Sequence, residues 1–208
     1  MAQVLDDLHT EIDGCYECQR RGLAIQKICG LQRGEASALV MLIGLAPGRA
    51  AGAQKLAFAG NSFSRLSAWF SMAGFGSPDA ALRKKLYLTS ISKCRAVDDT
   101  PANRRFMWQN CRRFLGRQID IVKPRLVGVL GAEVASYLLP KISSFDKEAG
   151  RAFTTSDINQ GQLFPMTMHD CRWMVLPHPS GLSRVMNSEV NRERIISGLR
   201  RELLAIRF

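Results

Sequence analysis

Four short apolar runs, at residues 39–45, 86–91, 126–130 and 173–176, are separated by longer amphipathic stretches, and this alternation constrains the fold more than any other feature. The first is apolar at successive positions, as a strand buried on both faces is, and the others are similar, so together they predict a mostly parallel sheet. Between the runs, the spacing predicts helices over 62–72, 108–122 and 132–139, with Phe114, Leu115, Ile119 and Val122 on one face of the second. An opening helix carries Val4, Leu5, Leu8 and Ile12 and stops at Gly14. A closing helix sets Ile196, Leu199, Leu203 and Ile206 at spacings of three and four. Pro124 and Pro140 end their helices. Strands alternating with helices give an α/β fold, a three-layer α/β/α sandwich with a central four-stranded, mostly parallel sheet. A chain of 208 residues suits a single domain spanning 1–208, with residues 143–162, rich in Gly, Ser, Thr and Asp, as its long loop.

The longest apolar run, 38–46, is far short of the roughly 20 residues that cross a bilayer, so no membrane association is expected. The N-terminal stretch carries Asp6, Asp7 and Glu11 and lacks the apolar core of a secretory signal. The expectation is a cytoplasmic monomer. In that reducing compartment six cysteines mean free thiols, metal or chemistry rather than cross-links. A net charge of +11 points to a polyanionic partner. Residues 93–125 concentrate it: Lys93, Arg95, Arg104, Arg105, Arg112, Arg113, Arg117, Lys123 and Arg125 stand against Asp98, Asp99 and Asp120. Charge alone does not separate a polyanion-binding face from a merely solvated one.

In such sheets ligands sit beyond the carboxyl ends of the strands. The segments there are Gly44-Leu45-Ala46-Pro47-Gly48, Thr89 to Arg95, Gly131-Ala132-Glu133, and His178-Pro179-Ser180-Gly181-Leu182-Ser183-Arg184, and they are expected to converge. Cys15 and Cys18 form a C-x2-C pair, a spacing at which two thiolates grip one metal centre. Further ligands must come from Cys29, Cys94, Cys111 or Cys171. Cys111 is expected at the start of the arginine-rich helix, where the positive helix end favours a thiolate. Spacing does not separate zinc from an iron-sulfur cluster, since both accept four cysteines, and buried cysteines without metal are the third possibility.

Taken in order, these pieces resemble the iron-sulfur uracil-DNA glycosylases, family 4 most closely, with family 5 features in the first motif. Cys15-x2-Cys18 resembles the first cluster pair, and Gly44 to Gly48 the first active-site motif. Phe58 and Gly60 resemble the Phe-x-Gly that follows it. Lys93-Cys94-Arg95 is similar to the segment of the third ligand, and Cys111 to the fourth. The run Pro124 to Gly131 is similar to the strand leading into the family's Leu-Gly, and His178 to Arg184 resembles the second active-site motif. The resemblance implies a 4Fe-4S cluster on Cys15, Cys18, Cys94 and Cys111. It implies DNA as partner, and removal of uracil to leave an abasic site. It implies a base pocket of Leu45, Ala46, Pro47, Gly48, Phe58, Ser90 and His178. Phe58 stacks on the base and His178 donates to uracil O2. Lys93, Arg95, Ser180, Leu182 and Arg184 contact DNA, with Leu182 as the wedge that fills the gap left by a flipped nucleotide. Cys29 and Cys171 match no ligand position and are expected in the core, while His9 and His169 are expected in surface or structural roles.

The departures also set expectations. Leu45, Arg49, Ala50 and Ala51 stand where family 4 carries carboxylates, and Ser90 stands where an asparagine reads the uracil edge. A rotatable hydroxyl in place of an amide predicts looser discrimination between bases, or a reduced rate. No motif lysine is placed as a Schiff-base nucleophile, so strand cleavage is not expected. The covalent variant of the family is not expected either, because its insertion after Phe58 is missing. The alternatives are a catalytically weak iron-sulfur DNA-binding homologue and a zinc-stapled nucleic-acid module.

Overall fold

All four apolar runs are strands of one sheet in the computed structural model, which describes residues 2–139, 144–158, 171–180 and 183–208. In chain order the elements are α1 (Ala2–Gly14), α2 (Glu17–Arg20), β1 (Ile25–Gln26), β2 (Val40–Gly44), α3 (Arg49–Gln54), α4 (Asn61–Met72), α5 (Asp79–Lys85) and β3 (Leu86–Ser90). There follow β4 (Arg95–Ala96), α6 (Pro101–Val122), β5 (Leu126–Leu130), α7 (Ala132–Leu138), α8 (Phe145–Glu148), β6 (Ala152–Thr154), β7 (Arg172–Leu176) and α9 (Glu189–Ile206). The sheet order is β3-β2-β5-β7-β6, with β6 antiparallel to β7 and the other pairs parallel. The expected four-stranded sheet therefore has a fifth strand. It lies in the stretch predicted as loop, and with three residues, only Phe153 buried, it is too short to leave a period in the sequence.

Every residue of β2, β3 and β5 is buried, which is why those runs show no polar alternation. Side chains alternate between the two faces of the sheet. On one face Tyr87 and Thr89 bond Gln118 of α6, and α1 packs on α6. On the other, Met174 lies against Gly198 of α9, which packs on α4. The result is the expected three-layer sandwich. No helix among the described residues is long and apolar enough to cross a membrane.

Helix α6 starts at Pro101, seven residues earlier than the apolar spacing predicts. Thr100 caps it, accepting from the backbone N–H of Asn103 at 3.2 Å, and proline occupies the first helical position, where no N–H is needed. Cys111 is thus about three turns in. The positive helix end, expected to act on its thiol, is too far away to do so. The remaining minor expectations divide. Cys171 is buried beside Thr155, as expected, whereas Cys29 is exposed, with its thiol directed at the carbonyl of Asp13 at 3.7 Å. His9 bonds the Tyr87 hydroxyl at 2.7 Å, and burial, aided by Arg33, pushes its imidazole down to about 4, so it is neutral near pH 7. His169 lies outside the described residues.

Candidate active site and cysteine cluster

The carboxyl ends of the strands are stitched together by backbone hydrogen bonds. Ile91 donates to Gly44 at 2.8 Å, Ser92 to Leu45 at 3.0 Å, and Gly131 to Leu176 at 2.8 Å. A cavity of about 270 Å³ opens there, lined among others by Ala46, Pro47, Gly48, Phe58, Ser90 and His178. Six of the seven predicted base-pocket residues are therefore brought together. Leu45 is the exception: it faces an adjoining cavity of about 190 Å³, which shares Ala46, Pro47, Gly48 and His178 with the first.

Phe58 has a φ of 53°, in the left-handed region, which costs a bulky residue on the order of 1–3 kcal/mol. Its ring lies directly over the end of β2, where a β-carbon on Gly44 would stand 2.8 Å from Phe58 Cζ. Gly44→Ala is therefore expected to push the ring into the cavity. Turnover at this cavity should fall ~10-fold or more, since small misplacements at a site are costly. The unfolding midpoint should move by no more than about 3 °C, because only the end of a side chain must yield. An unchanged rate would remove Phe58 from the site.

His178 is held from two sides. Gly131, with φ 97°, leaves room for it: a β-carbon there would come within 3.3 Å of His178 Cβ. The loop beyond is pinned by Arg65 of α4, whose Nη1 donates to the carbonyl of Ser180 at 3.1 Å. Burial holds the His178 imidazole below its ordinary value, so the ring is neutral near pH 7 and carries a single N–H. Ser90 differs from expectation. Its hydroxyl donates to the carbonyl of Ser92 at 2.7 Å, so it does not rotate freely and offers the cavity lone pairs only.

Lys93, expected on the DNA face, points inward and is 3% exposed. Its ammonium donates to Gln118 Oε1 at 2.6 Å, Thr89 Oγ1 at 2.9 Å and the carbonyl of Ser90 at 2.6 Å, and burial pushes it down to about 7. Buried and bonded inward, it is out of reach of a phosphate. Instead it braces the tip of β3 against α6. Gln118, fully buried in that brace, is a participant that sequence analysis missed. Its signal was a polar residue inserted in the apolar face between Leu115 and Ile119.

The cysteines come from four separate places: Cys15 just after α1, Cys18 in α2, Cys94 between β3 and β4, and Cys111 in α6. The short ladder of β1 on β4 pairs Ile25 with Ala96 and Gln26 with Arg95, tying the N-terminal segment to the residues after Cys94. Helix α2 packs on α6. Asn110 donates to Cys18 Sγ at 3.4 Å, and Arg21 donates to Asn110 Oδ1 at 2.7 Å. Cys18, Cys94 and Met107 share one apolar cluster, with Cys15 in the neighbouring one. Burial pushes the Cys94 thiol up to about 12 and the Cys111 thiol up to about 11, and in each case the other three cysteines or some of them raise it further. The Lys93 backbone N–H and ammonium oppose this at Cys111. None of these thiols is in a disulfide. Among the described residues no three of His, Cys, Asp and Glu stand close enough to share one metal ion. Four cysteines are a donor set that either a tetrahedral zinc or an iron-sulfur cluster accepts, and two of them, Cys18 and Cys94, already share one apolar cluster.

A family model described as the uracil DNA glycosylase superfamily matches residues 31–200. The chain belongs to that superfamily. It is similar to the type-4 uracil-DNA glycosylase of Archaeoglobus fulgidus, 26% identical over 163 residues covering 77% of this chain and 72% of the relative. The type-4 uracil-DNA glycosylase of Saccharolobus solfataricus is 24% identical over 183 residues, covering 85% and 76%, and that of Pyrobaculum aerophilum 29% over 135 residues, covering 65% and 64%.

In this superfamily member the basic stretch is only partly available to a polyanion. Besides Lys93, Arg104 pairs with Glu133 at 2.7 Å and with Asp99 at 3.3 Å, and Arg117 pairs with Glu11. Arg105, Arg113, Lys123 and Arg184 remain exposed, and Arg95 is half-buried on the adjoining cavity. Leu182 lies outside the described residues. Arg49, which stands where family 4 was expected to carry acid, lines the cavity with Phe58, as does the buried Arg33.

Proposed function

We propose that the protein is a DNA-repair glycosylase that extrudes uracil, and the related deaminated purines, from DNA and hydrolyses the glycosidic bond without cutting the strand. The observation that carries this is the single cavity lined by Phe58, Ser90 and the neutral His178. It works as a monomer and as one domain.

A flipped base enters with one face on Phe58 and its edge toward Ser90. Because the Ser90 proton is held by the Ser92 carbonyl, the oxygen facing the base accepts and does not donate. Uracil presents N3–H there, and hypoxanthine and xanthine present N1–H. Cytosine and adenine present a lone pair and are repelled, so the Ser90 oxygen separates these two bases from their deaminated products, uracil and hypoxanthine. As the bond from the base to C1′ lengthens, negative charge gathers on the base, and the His178 N–H donates to O2 where that charge appears. Cys15, Cys18, Cys94 and Cys111 would hold the 4Fe-4S cluster. When bound, that group supplies a structural tie and a cationic centre for four thiolates rather than redox turnover.

One observation favours the weaker alternative, a binding protein with little activity: no Asp or Glu is among the described residues lining the base cavity. Excision assays on single- and double-stranded oligonucleotides carrying uracil, hypoxanthine or xanthine, followed by alkali, decide between them. Alkali-dependent breaks are expected on uracil and xanthine, which carry the 2-oxo group that His178 bonds, fewer on hypoxanthine, which lacks it, and none on cytosine or adenine controls. Binding without breaks would leave only the DNA-binding reading. Affinity should fall with salt at a log-log slope of about −0.9 per phosphate contacted on duplex DNA.

A further inference from the structure

We infer that Asp99 is the catalytic carboxylate, acting on the sugar and the attacking water from the second cavity beside His178. This deepens the glycosylase reading and rests on it.

The base cavity lacks a carboxylate among its described lining residues, yet the chemistry generates a cationic sugar and needs a water activated next to it. The second cavity, of about 190 Å³, meets the first at His178 and the Ala46, Pro47 and Gly48 turn, and it contributes Asp99, Arg95 and Arg104. Two cavities joined at an imidazole have the outline of a nucleotide, with the base on the Phe58 side and the sugar and phosphate on the arginine side. On that side the carboxylate is Asp99, carried by the loop between β4 and α6 rather than by the first motif.

Asp99 is fixed for the task. Arg104 Nη1 donates to its backbone carbonyl at 2.9 Å and stands 3.3 Å from its Oδ1. The loop on either side is held by the Thr100 cap and by Asn103, which donates to the carbonyl of Asp98 at 2.8 Å. The Asp99 side chain is 52% exposed, so DNA and water can reach it. Glu133 is the built-in comparison. It pairs with the same arginine, through Nε at 2.7 Å, but does not line either cavity.

In the step itself the bond from C1′ to the base breaks and its electron pair leaves with the base, whose O2 accepts from His178. Positive charge on C1′ is stabilised by the Asp99 carboxylate. A water oxygen bonds C1′ and passes a proton to Asp99, and that proton returns through solvent to the base anion. The net change is the addition of one water across the glycosidic bond.

The test compares wild type, Asp99→Asn, Asp99→Glu and Glu133→Gln in two assays. One measures uracil excision. The other measures binding to duplex DNA carrying either a cationic pyrrolidine or a neutral tetrahydrofuran in place of the abasic sugar. Asp99→Asn is expected to lose ~10²-fold in kcat with KM within about threefold. It should also lose the preference for pyrrolidine over tetrahydrofuran by about tenfold or more, the discrimination a charge partner confers. Asp99→Glu should retain that preference, and Glu133→Gln should keep both properties within about threefold. Equal losses in Asp99→Asn and Glu133→Gln would mean that Asp99 acts only by holding Arg104, and overturn the assignment. An Asp99→Asn enzyme with wild-type kcat would also overturn it. If wild type excises no lesion, the glycosylase reading fails instead. The analogue preference still judges Asp99 in that case, because it needs no turnover.

Discussion

His178→Ala is expected to lower single-turnover uracil excision by ~10²- to 10³-fold, the usual cost of removing one donor aimed at a developing negative charge. Binding of DNA with a neutral abasic analogue should change by less than about threefold. The expectation follows from three features of the ring. Burial keeps it neutral, so its single N–H is available as a donor without the proton leaving. Gly131 leaves room for its packing, and Arg65 fixes the loop beyond it through Ser180, so the donor is positioned before the base arrives. It also borders both the cavity with Phe58 and the cavity with Asp99. His178→Asn, which keeps an amide donor on a shorter arm, should recover part of the loss. Equal rates for the alanine variant and wild type would show that the imidazole is a wall of the cavity and nothing more.

Cys111→Ser is expected to abolish iron binding and the broad visible absorbance of the purified protein, and to lower the unfolding midpoint by more than about 10 °C. A structural metal site can contribute on the order of 10 kcal/mol, and a few kcal/mol shifts the midpoint of a domain this size by that much. The effect is large because of what the four cysteines join. Cys15 and Cys18 lie in an N-terminal segment whose other ties to the sheet are modest, the two-residue ladder of β1 on β4 and the contacts of α1 and α2 with α6. Without a group shared by the four cysteines, only those contacts would tie the segment to the sheet. Cys29→Ser, at an exposed thiol, and Cys171→Ser, beside Thr155, should both keep the iron. A colourless protein carrying one zinc per chain would refute the cluster in favour of the stapled-module alternative.

The same two sites mark how far the sequence could be read. Apolar runs placed β2, β3, β5 and β7 because a strand buried on both faces is apolar at most positions, which is a local signal. Once those strands are parallel, topology forces their carboxyl ends together, so His178, Ser90 and the Gly44 to Gly48 motif were legible as one site before any coordinates. β6 was not legible, since an edge strand of three residues has one buried side chain and no period. The start of α6 was missed because its first two turns are polar and are set by a cap and a proline rather than by an apolar face.

What the sequence determined by itself is the sheet, the helices that cover it, the convergence of the strand tips and the four-cysteine pattern. All of these follow from periodicity and connectivity. What only the tertiary structure decided is the direction in which polar groups point. Lys93 turns in toward Gln118, the Ser90 proton is held by Ser92, Arg104 is shared by Asp99 and Glu133, and Leu45 faces the second cavity. A buried polar group must find its partner wherever the fold brings one, and partners as far apart in the chain as Lys93 and Gln118 are chosen by packing that no local pattern encodes.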